Sequence, residues 1–428
     1  MPFRRAATLG RPMQGFLYSE VLTVLALMVG GVATPWWVAQ QGGAQALALN
    51  GTLTSVAAFL FMPLLSPLGD AWPKQRLMMA GLLLSALGAA GMAGMISAQA
   101  YSLGWVLAIG ALAALAWGLM APASLSIAAE LVPAAQLPEA LRLQRSAQSL
   151  GRVLGPAVGG LLVSASTGVA MWAQCGLLLA AALAVRAIPG HAAAPTSVPR
   201  AAWRDELRQG LKASWSVRTE RGWTLVSFVG TTCLLPGFGL LVPLKLQSLG
   251  LSGGWLGAAE AGLSMGMLGG ALGGSNWVAA RLGRFHTRVG GTLLQGLGLC
   301  LAGATSQGLV LVLALFGVGF ANSCGVLAGQ THRMLAIPAH FRARLNAVSM
   351  MQLQVSAALG PALVGWALLH AKVSSVYVAM GAIGALSALG FALVPGLREM
   401  LSLEHEQVRD WYARQHPELF HAHSPATS

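Results

Sequence analysis

An all-α polytopic membrane protein, with twelve transmembrane helices in two pseudo-symmetric six-helix halves, is the fold class the sequence predicts. Three observations carry it. Of 428 residues, 55% are hydrophobic and only 9% charged, where a soluble domain carries about 25% charge. Second, twelve apolar runs reach the ~20 residues that a bilayer crossing needs. They lie near 14–39, 44–69, 76–97, 103–129, 139–165, 169–188, 221–249, 254–280, 289–306, 309–335, 345–369 and 374–395. Third, the basic residues fall in alternate connections.

That alternation is strict. The connections after spans 1, 3, 5 and 9 carry no Lys or Arg, and those after spans 7 and 11 carry only Lys245 and Lys372. Nearly all the rest of the 26 lie on the other side, among them Arg4, Arg5, Arg11, Lys74, Arg76, Arg281, Arg284, Arg333, Arg342 and Arg344. Basic residues mark the cytoplasmic side, so both termini are expected there, in the bacterial inner membrane. The net charge of +13 is spread over loops rather than gathered on one patch, which excludes nucleic acid as a partner.

Taken in order, the first run follows Arg4, Arg5 and Arg11 as a signal peptide would. It is too long for one and no small-x-small cleavage site follows, so it reads as a retained span. Trp36 and Trp37 near its outer end read as an interface belt, or as a surface for stacking a flat substrate. The first half occupies 1–188. The middle loop, 189–220, opens with a flexible Gly190–Pro199 stretch. Trp203 to Lys212 follows, either a short amphipathic helix on the inner leaflet or a plain linker. The second half occupies 221–395. The polar tail, 396–428, reads as a solvated helix fraying into a disordered end. Its His405, His416, His421 and His423 are too loosely spaced for a metal site. Cys175, Cys233, Cys300 and Cys324 sit inside apolar runs and read as packing residues.

The halves are related. Leu154-Gly155-Pro156-Ala157 recurs as Leu359-Gly360-Pro361-Ala362, displaced by 205. At the same displacement Pro133-Ala134 matches Pro338-Ala339, and Gly160 matches Gly365. A duplicated six-span unit is a common plan for secondary transporters.

Span 5 contains Gly151-Arg152-Val153-Leu154-Gly155-Pro156-Ala157-Val158-Gly159-Gly160. On a helix, Gly151, Gly155 and Gly159 share one face, and a face without side chains lets another helix come close. Pro156 removes a backbone hydrogen bond and bends the helix. These residues alone fit plain packing as well as a functional joint. The spelling Gly-x-x-x-Gly-Pro-x-x-Gly-Gly resembles the antiporter motif of major facilitator superfamily exporters. The upstream glycine of its long form would fall at Arg142. The loop Ser66 to Arg76 resembles the facilitator signature between spans 2 and 3: Asp70 and Lys74 match, while Ser66, Ala71 and Pro73 depart. That resemblance implies a gating loop of Asp70, Lys74 and Arg76, with Asp70 locking the cytoplasmic side against bases of the other half. Taken alone, the three are simply charges at an interface. Arg152 ahead of Gly-Pro, with Leu131-Val132-Pro133 upstream, is similar to the macrolide-efflux and siderophore (enterobactin-type) exporter branch.

A charge at a helix centre costs at least ~2.5–3.5 kcal/mol in a membrane. Glu20 in span 1, Arg152 in span 5 and Glu260 in span 8 are therefore the candidates for transport and proton coupling. Glu260 reads as a proton or substrate group whose charged form Arg152 favours, or as an acid facing outer water. Arg152 alternatively snorkels to the headgroups. Glu20 faces either the central cavity or the inner interface. A second glycine ladder, Gly262, Gly266, Gly270 and Gly274, follows Glu260. The superfamily resemblance implies that spans 5 and 8 pack together, so the two glycine faces are expected to meet in a seam that rocks.

No catalytic constellation, metal cluster or phosphate loop stands out, so neither an enzyme nor a cofactor is expected. The resemblance implies a secondary active transporter that exports a small amphiphilic molecule, by proton antiport with alternating access. Its partners would be that substrate, protons and the lipid bilayer, with the chain acting as a monomer. A lysophospholipid flippase and a nutrient uptake symporter of the same fold are the alternatives. Few acids lie in the membrane, and Arg152 and Lys245 suit an anionic or metal-chelating cargo, which favours a siderophore over a drug.

Overall fold

Backbone amides in lipid must be satisfied within the chain, and helices do this locally. The computed structural model describes residues 10–189 and 200–420, without the side chains of 66, 67, 69–71, 125, 134 and 200–207. Every regular element among the described residues is helical.

Helix α1, Arg11–Ala71, holds spans 1 and 2 in one piece, interrupted only at Gly43, where φ is 69°. That left-handed conformation suits glycine, which has no Cβ to clash. Its two limbs run in opposite directions along α3 (Leu103–Leu131). Asn50 and Thr54 lie at Gly110, and Phe61 and Leu65 at Gly118, so the second limb runs with α3. Glu20 meets Ser124 and Trp37 meets Tyr101, just ahead of α3, so the first limb runs against it. Helices α2 (Lys74–Ser97), α4 (Leu137–Ala165) and α5 (Thr167–Val185) complete the first six spans.

The middle loop carries α6, Arg200–Ser216, which selects the helical reading of this segment. Span 7 is α7 (Arg218–Gly239) and α8 (Leu241–Ser248), bent by 45° at Leu240. Span 8 is α9 (Gly253–Gly269), a π turn over Gly270–Gly274, and α10 (Ser275–Leu282). Then come α11 (Arg284–Ala304), α12 (Gly308–Ala336), α13 (Arg342–Ala367) and α14 (Val373–Leu393). Among the described residues, seven helices, or eight counting the bent pair, are each long and apolar enough to cross a membrane, α1 covering two spans. Helices α4, α9–α10 and α11, more polar or broken, supply the remainder of the twelve. Leu272 and Leu393, 79% and 80% exposed, are two of many large apolar side chains left on the surface, as lipid-facing helices allow.

The chain forms two compact units. One comprises Met1–Ser197, Phe238–Ala261 and Pro361–Val373; the other comprises Val198–Gly237, Gly262–Gly360 and Ser374–Ser428. Met13, Phe16, Leu82, Ile127 and Leu178 anchor the core of the first, and Trp223, Phe341, Phe391 and Leu397 that of the second.

The internal repeat extends to contacts. Gly155 takes Met28 of α1, and its counterpart Gly360 takes Thr232 and Pro236 of α7. Gly160 lies on Gly257 of α9, and its counterpart Gly365 on Ala48 of α1. In each half the fifth helix thus uses equivalent glycines for equivalent approaches.

The tail departs from the expectation of a solvated, fraying helix. Its described residues, to 420, fold as four short helices, α15 (Leu397–Ser402), α16 (His405–Val408), α17 (Trp411–Gln415) and α18 (Pro417–Phe420). Leu397, Met400, Leu401, Val408, Trp411, Tyr412 and Phe420 are buried in the core of the second unit. The Asp410 N–H donates to the Leu335 carbonyl of α12 at 3.0 Å. An apolar stripe threaded between charges drives this docking. His421 and His423 lie outside the described residues.

Candidate functional site

Glu20 lies on the first limb of α1, buried to 6% exposure. The Ser124 hydroxyl of α3 donates to Oε1 at 2.6 Å, and the Gln148 amide of α4 donates to Oε2 at 2.6 Å. Gln144, one turn earlier on α4, donates to the Ser124 carbonyl at 3.1 Å. Among the described residues no ion pair reaches Glu20. Ser19 beside it is fully buried, and its hydroxyl has no hydrogen-bond partner. The carboxyl group is thus enclosed by neutral groups from two helices.

Directly above this rung, the glycine face of α4 runs along the same limb. Gly151 faces Val24 and Leu25, Gly155 faces Met28, and Gly159 faces Val29 and Val32. A Cβ added at Gly155 would stand 2.3 Å from that of Met28. Pro156 is buried within the continuous α4. The span-5 motif therefore docks α1 and brings Gln148 within reach of Glu20.

The second ladder has a different partner from the one the sequence suggested. Gly262, Gly266 and Gly270 lie on Val312, Phe316 and Ser323 of α12, and Gly274 lies on Phe320. The side-chain-free approach to α4 is made instead by Gly257. An ideal Cβ on Gly160 would fall 2.3 Å from the Gly257 Cα. Hydrogen bonds reinforce this end of the unit. Gln247 Nε2 donates to the Trp36 carbonyl at 2.9 Å, and Gln45 Nε2 to the Gly365 carbonyl at 2.8 Å. Trp36 and Trp37 are each 5% exposed, and Trp37 meets Tyr101 edge to face. Their burial here replaces the expected lipid-facing belt.

The other candidates are more dispersed. Arg152 is exposed on α4, next to the glycine face, and Glu260 is half-buried on α9. Measured from the Gly160–Gly257 contact, Arg152 lies ~12 Å along its helix and Glu260 ~4.5 Å along its own, so they differ in depth by ~7.5 Å. They form no ion pair. Lys74 pairs with Glu130, at the end of α3. Arg76 is exposed, and the Asp70 side chain lies outside those described. Lys245 is buried on α8. Cys175, Cys233 and Cys324 are buried and Cys300 half-buried, all as free thiols. Among the described residues no cluster of three or more His, Cys, Asp or Glu could hold a metal ion.

A second buried polar cluster escaped the sequence reading. Arg333 of α12 donates through Nε to both oxygens of Glu220 on α7, at 3.1 and 3.0 Å, and through Nη2 to Glu220 and to Ser349 of α13. The Tyr412 hydroxyl of α17 donates to Glu220 at 2.9 Å. Burial, and then the Glu220 charge, hold that hydroxyl well above the ordinary tyrosine range. Nearby, the Arg288 guanidinium lies over the rings of Phe391 and Trp223, at 4.0 and 4.7 Å. The signal in the sequence was an acid opening one apolar run and a base closing another, with two aromatic residues in a polar tail.

Comparison with known proteins places this geometry. The family profile described as Major Facilitator Superfamily matches residues 17–288. No curated protein matches the chain. Among solved structures, the nucleoside transporter NupG aligns with a TM-score of 0.70 at 13% identity, over 91% of this chain and 100% of that one. A bacterial homolog of the human lysosomal transporter Spinster, inward-facing and unoccupied, gives 0.65 at 14%, over 93% and 97%. A POT family transporter in complex with 5-aminolevulinic acid gives 0.67 at 10%, over 91% and 96%. At these identities the likeness concerns the fold.

Proposed function

The chain belongs to the major facilitator superfamily, and from that premise we propose that it exports a small amphiphilic molecule by proton antiport, with Glu20 carrying the proton. The observation behind this reading is the Glu20 environment. It is a buried carboxyl group within a span, and both its oxygens are held by neutral donors. An acid inside a membrane helix is a functional group by default, and this one can gain a proton without stranding a neighbouring cation. Glu260, half-buried and without an ion-pair partner, is the weaker candidate.

Alternating access supplies the transport cycle. The halves 1–188 and 221–395 act as its lobes, with the basic ends and both termini in the cytoplasm of a bacterial cell. The Gly160–Gly257 contact, with the Gln247–Trp36 and Gln45–Gly365 hydrogen bonds, forms the outer seal that parts when the cargo leaves. The gating loop Asp70, Lys74 and Arg76 serves the opposite end, with Lys74 already engaged by Glu130. The cargo favoured is a siderophore, because the exposed Arg152 offers positive charge within an acid-poor span. The protein acts as a monomer in this scheme.

Everted membrane vesicles energised with a proton gradient test the reading. Uptake of a radiolabelled catecholate siderophore and of ethidium is compared between wild type and Glu20→Gln. The variant should insert normally and lose gradient-driven accumulation of whichever probe the wild type carries. Undiminished accumulation in Glu20→Gln removes this residue from coupling. Movement only in the reverse direction, with the proton, identifies an uptake symporter instead.

A further inference from the structure

The reading of Glu20 says nothing of what its proton moves. We propose that Gln148 and Ser124 are positioning residues that fasten the first limb of α1 to α4 and α3 while Glu20 is ionised. On protonation they release the limb to slide along the glycine face of α4. The inference rests on Glu20 being the coupling group.

Hydrogen-bond chemistry supplies the release. An ionised carboxylate only accepts, and here it accepts from one hydroxyl and one amide N–H. A protonated carboxyl must donate one O–H. Either Ser124 then turns its hydroxyl to accept, or the Gln148 amide flips to present its oxygen. Protonation thereby replaces two charge-assisted bonds with neutral ones of about half the strength, one of them reversed, and so loosens the hold on α1. The Gln144 bond to the Ser124 carbonyl involves no α1 group, so α3 and α4 stay joined to each other.

Register supplies the direction. Positions 20, 24, 28 and 32 of α1 stand against 148, 151, 155 and 159 of α4. The glycines recur every four residues, so displacement by one turn offers the limb the same kind of face again. Interlocking side chains would block such a slide; a glycine face does not. One-turn ratchets of this kind are a known mode of helix movement.

The other titratable groups on the packed helices do not compete. Glu130 of α3 is paired with Lys74, and Glu139 of α4 with Arg142. Arg145 and Arg152 are exposed on α4, and Cys175 of α5 is a free thiol. Lys245 of α8 belongs to the far end of the limb, where Gln247 meets Trp36. Tyr18 is exposed on α1 itself.

Nitroxide labels on Arg11→Cys and Arg145→Cys, in the otherwise cysteine-free full chain in nanodiscs, read the displacement without any substrate. In wild type the distance should change by about 5 Å, one helical turn, between mild base and mild acid. Glu20→Gln should show the acid distance under both conditions. Gln148→Leu and Ser124→Ala should do the same, and Ser124→Thr, which keeps the hydroxyl, should restore the wild-type response. If Gln148 merely packs, its variant shifts both distances together and preserves their difference, which overturns the proposal. A wild-type distance that ignores pH also overturns it. Transport by Glu20→Gln in vesicles is scored separately, so failure of the coupling reading is distinguishable from failure of the sliding joint.

Discussion

Each half of the chain buries a glutamate near the foot of its first helix, and the two are held in opposite ways. Glu20 on α1 receives a hydroxyl from α3 and an amide from α4, both neutral. Glu220 on α7 receives the Arg333 guanidinium from α12, itself steadied by Ser349 of α13, and a hydroxyl from the tail. In the first half the fourth and fifth helices both reach the glutamate, while in the second the fourth helix does so and the fifth steadies the arginine, from positions that the repeat does not match. Removing either charge of the second pair strands the other in a dry interior. Neutral donors leave nothing stranded. The second glutamate is thus held by a full charge and the first by neutral groups alone.

The contrast can be broken by substitution. Arg333→Met should cost the most, about 3–5 kcal/mol, because it leaves the Glu220 charge uncompensated. Melting in detergent measures this, and combining it with Glu220→Leu should recover much of the loss. A single-variant cost below ~1 kcal/mol would show the pair to be compensated by solvent, and the clamp reading would fail. Tyr412→Phe comes next, at about 1.5–3 kcal/mol, the value of a hydrogen bond to a charged group. Limited proteolysis of the tail should rise in parallel.

The glycine contacts sharpen the comparison between repeats. Gly160→Ala should cost about 1–3 kcal/mol through overpacking, since its Cβ would meet the Gly257 backbone at 2.3 Å. Gly365→Ala, which meets only the Ala48 methyl at 2.6 Å, should be milder in the same melting assay. Equal costs would mean that the two approaches are equally yielding. Smallest of all should be the stability effect of Glu20→Gln, below ~1 kcal/mol, since the amide, like the protonated acid, trades charge-assisted bonds for weaker neutral ones and leaves no charge uncompensated. A large loss of stability there would make Glu20 a structural residue as Glu220 is.

What the sequence disclosed follows physical lines. The spans were legible because lipid demands continuous apolar runs, and the observed helices begin and end within a few residues of the expected ones. The repeat was legible because Gly155 and Gly360 keep identity as well as position. Glu20 stood out as an acid in an apolar run. Gln148 and Ser124 did not, because uncharged polar side chains are common in membrane helices and only proximity gives them a role. Both glycine ladders were visible, but a bare face does not name its partner, and the second belongs to α12. The Glu220–Arg333 pair spans 113 positions, beyond any local pattern. The docked tail was hidden because charges dilute its apolar stripe.

The turn at Gly43 has a mechanical consequence. No slack chain separates the two limbs of α1, and the second limb bears Ala48 and Gly51 against Gly365 and Pro361. Axial travel of the first limb can be absorbed only by torsion at one residue, or else it is handed on to the second as through a crank. A longer, floppy linker inserted at this point should leave each helix intact and yet uncouple them, so that events around Glu20 no longer reach Gly365.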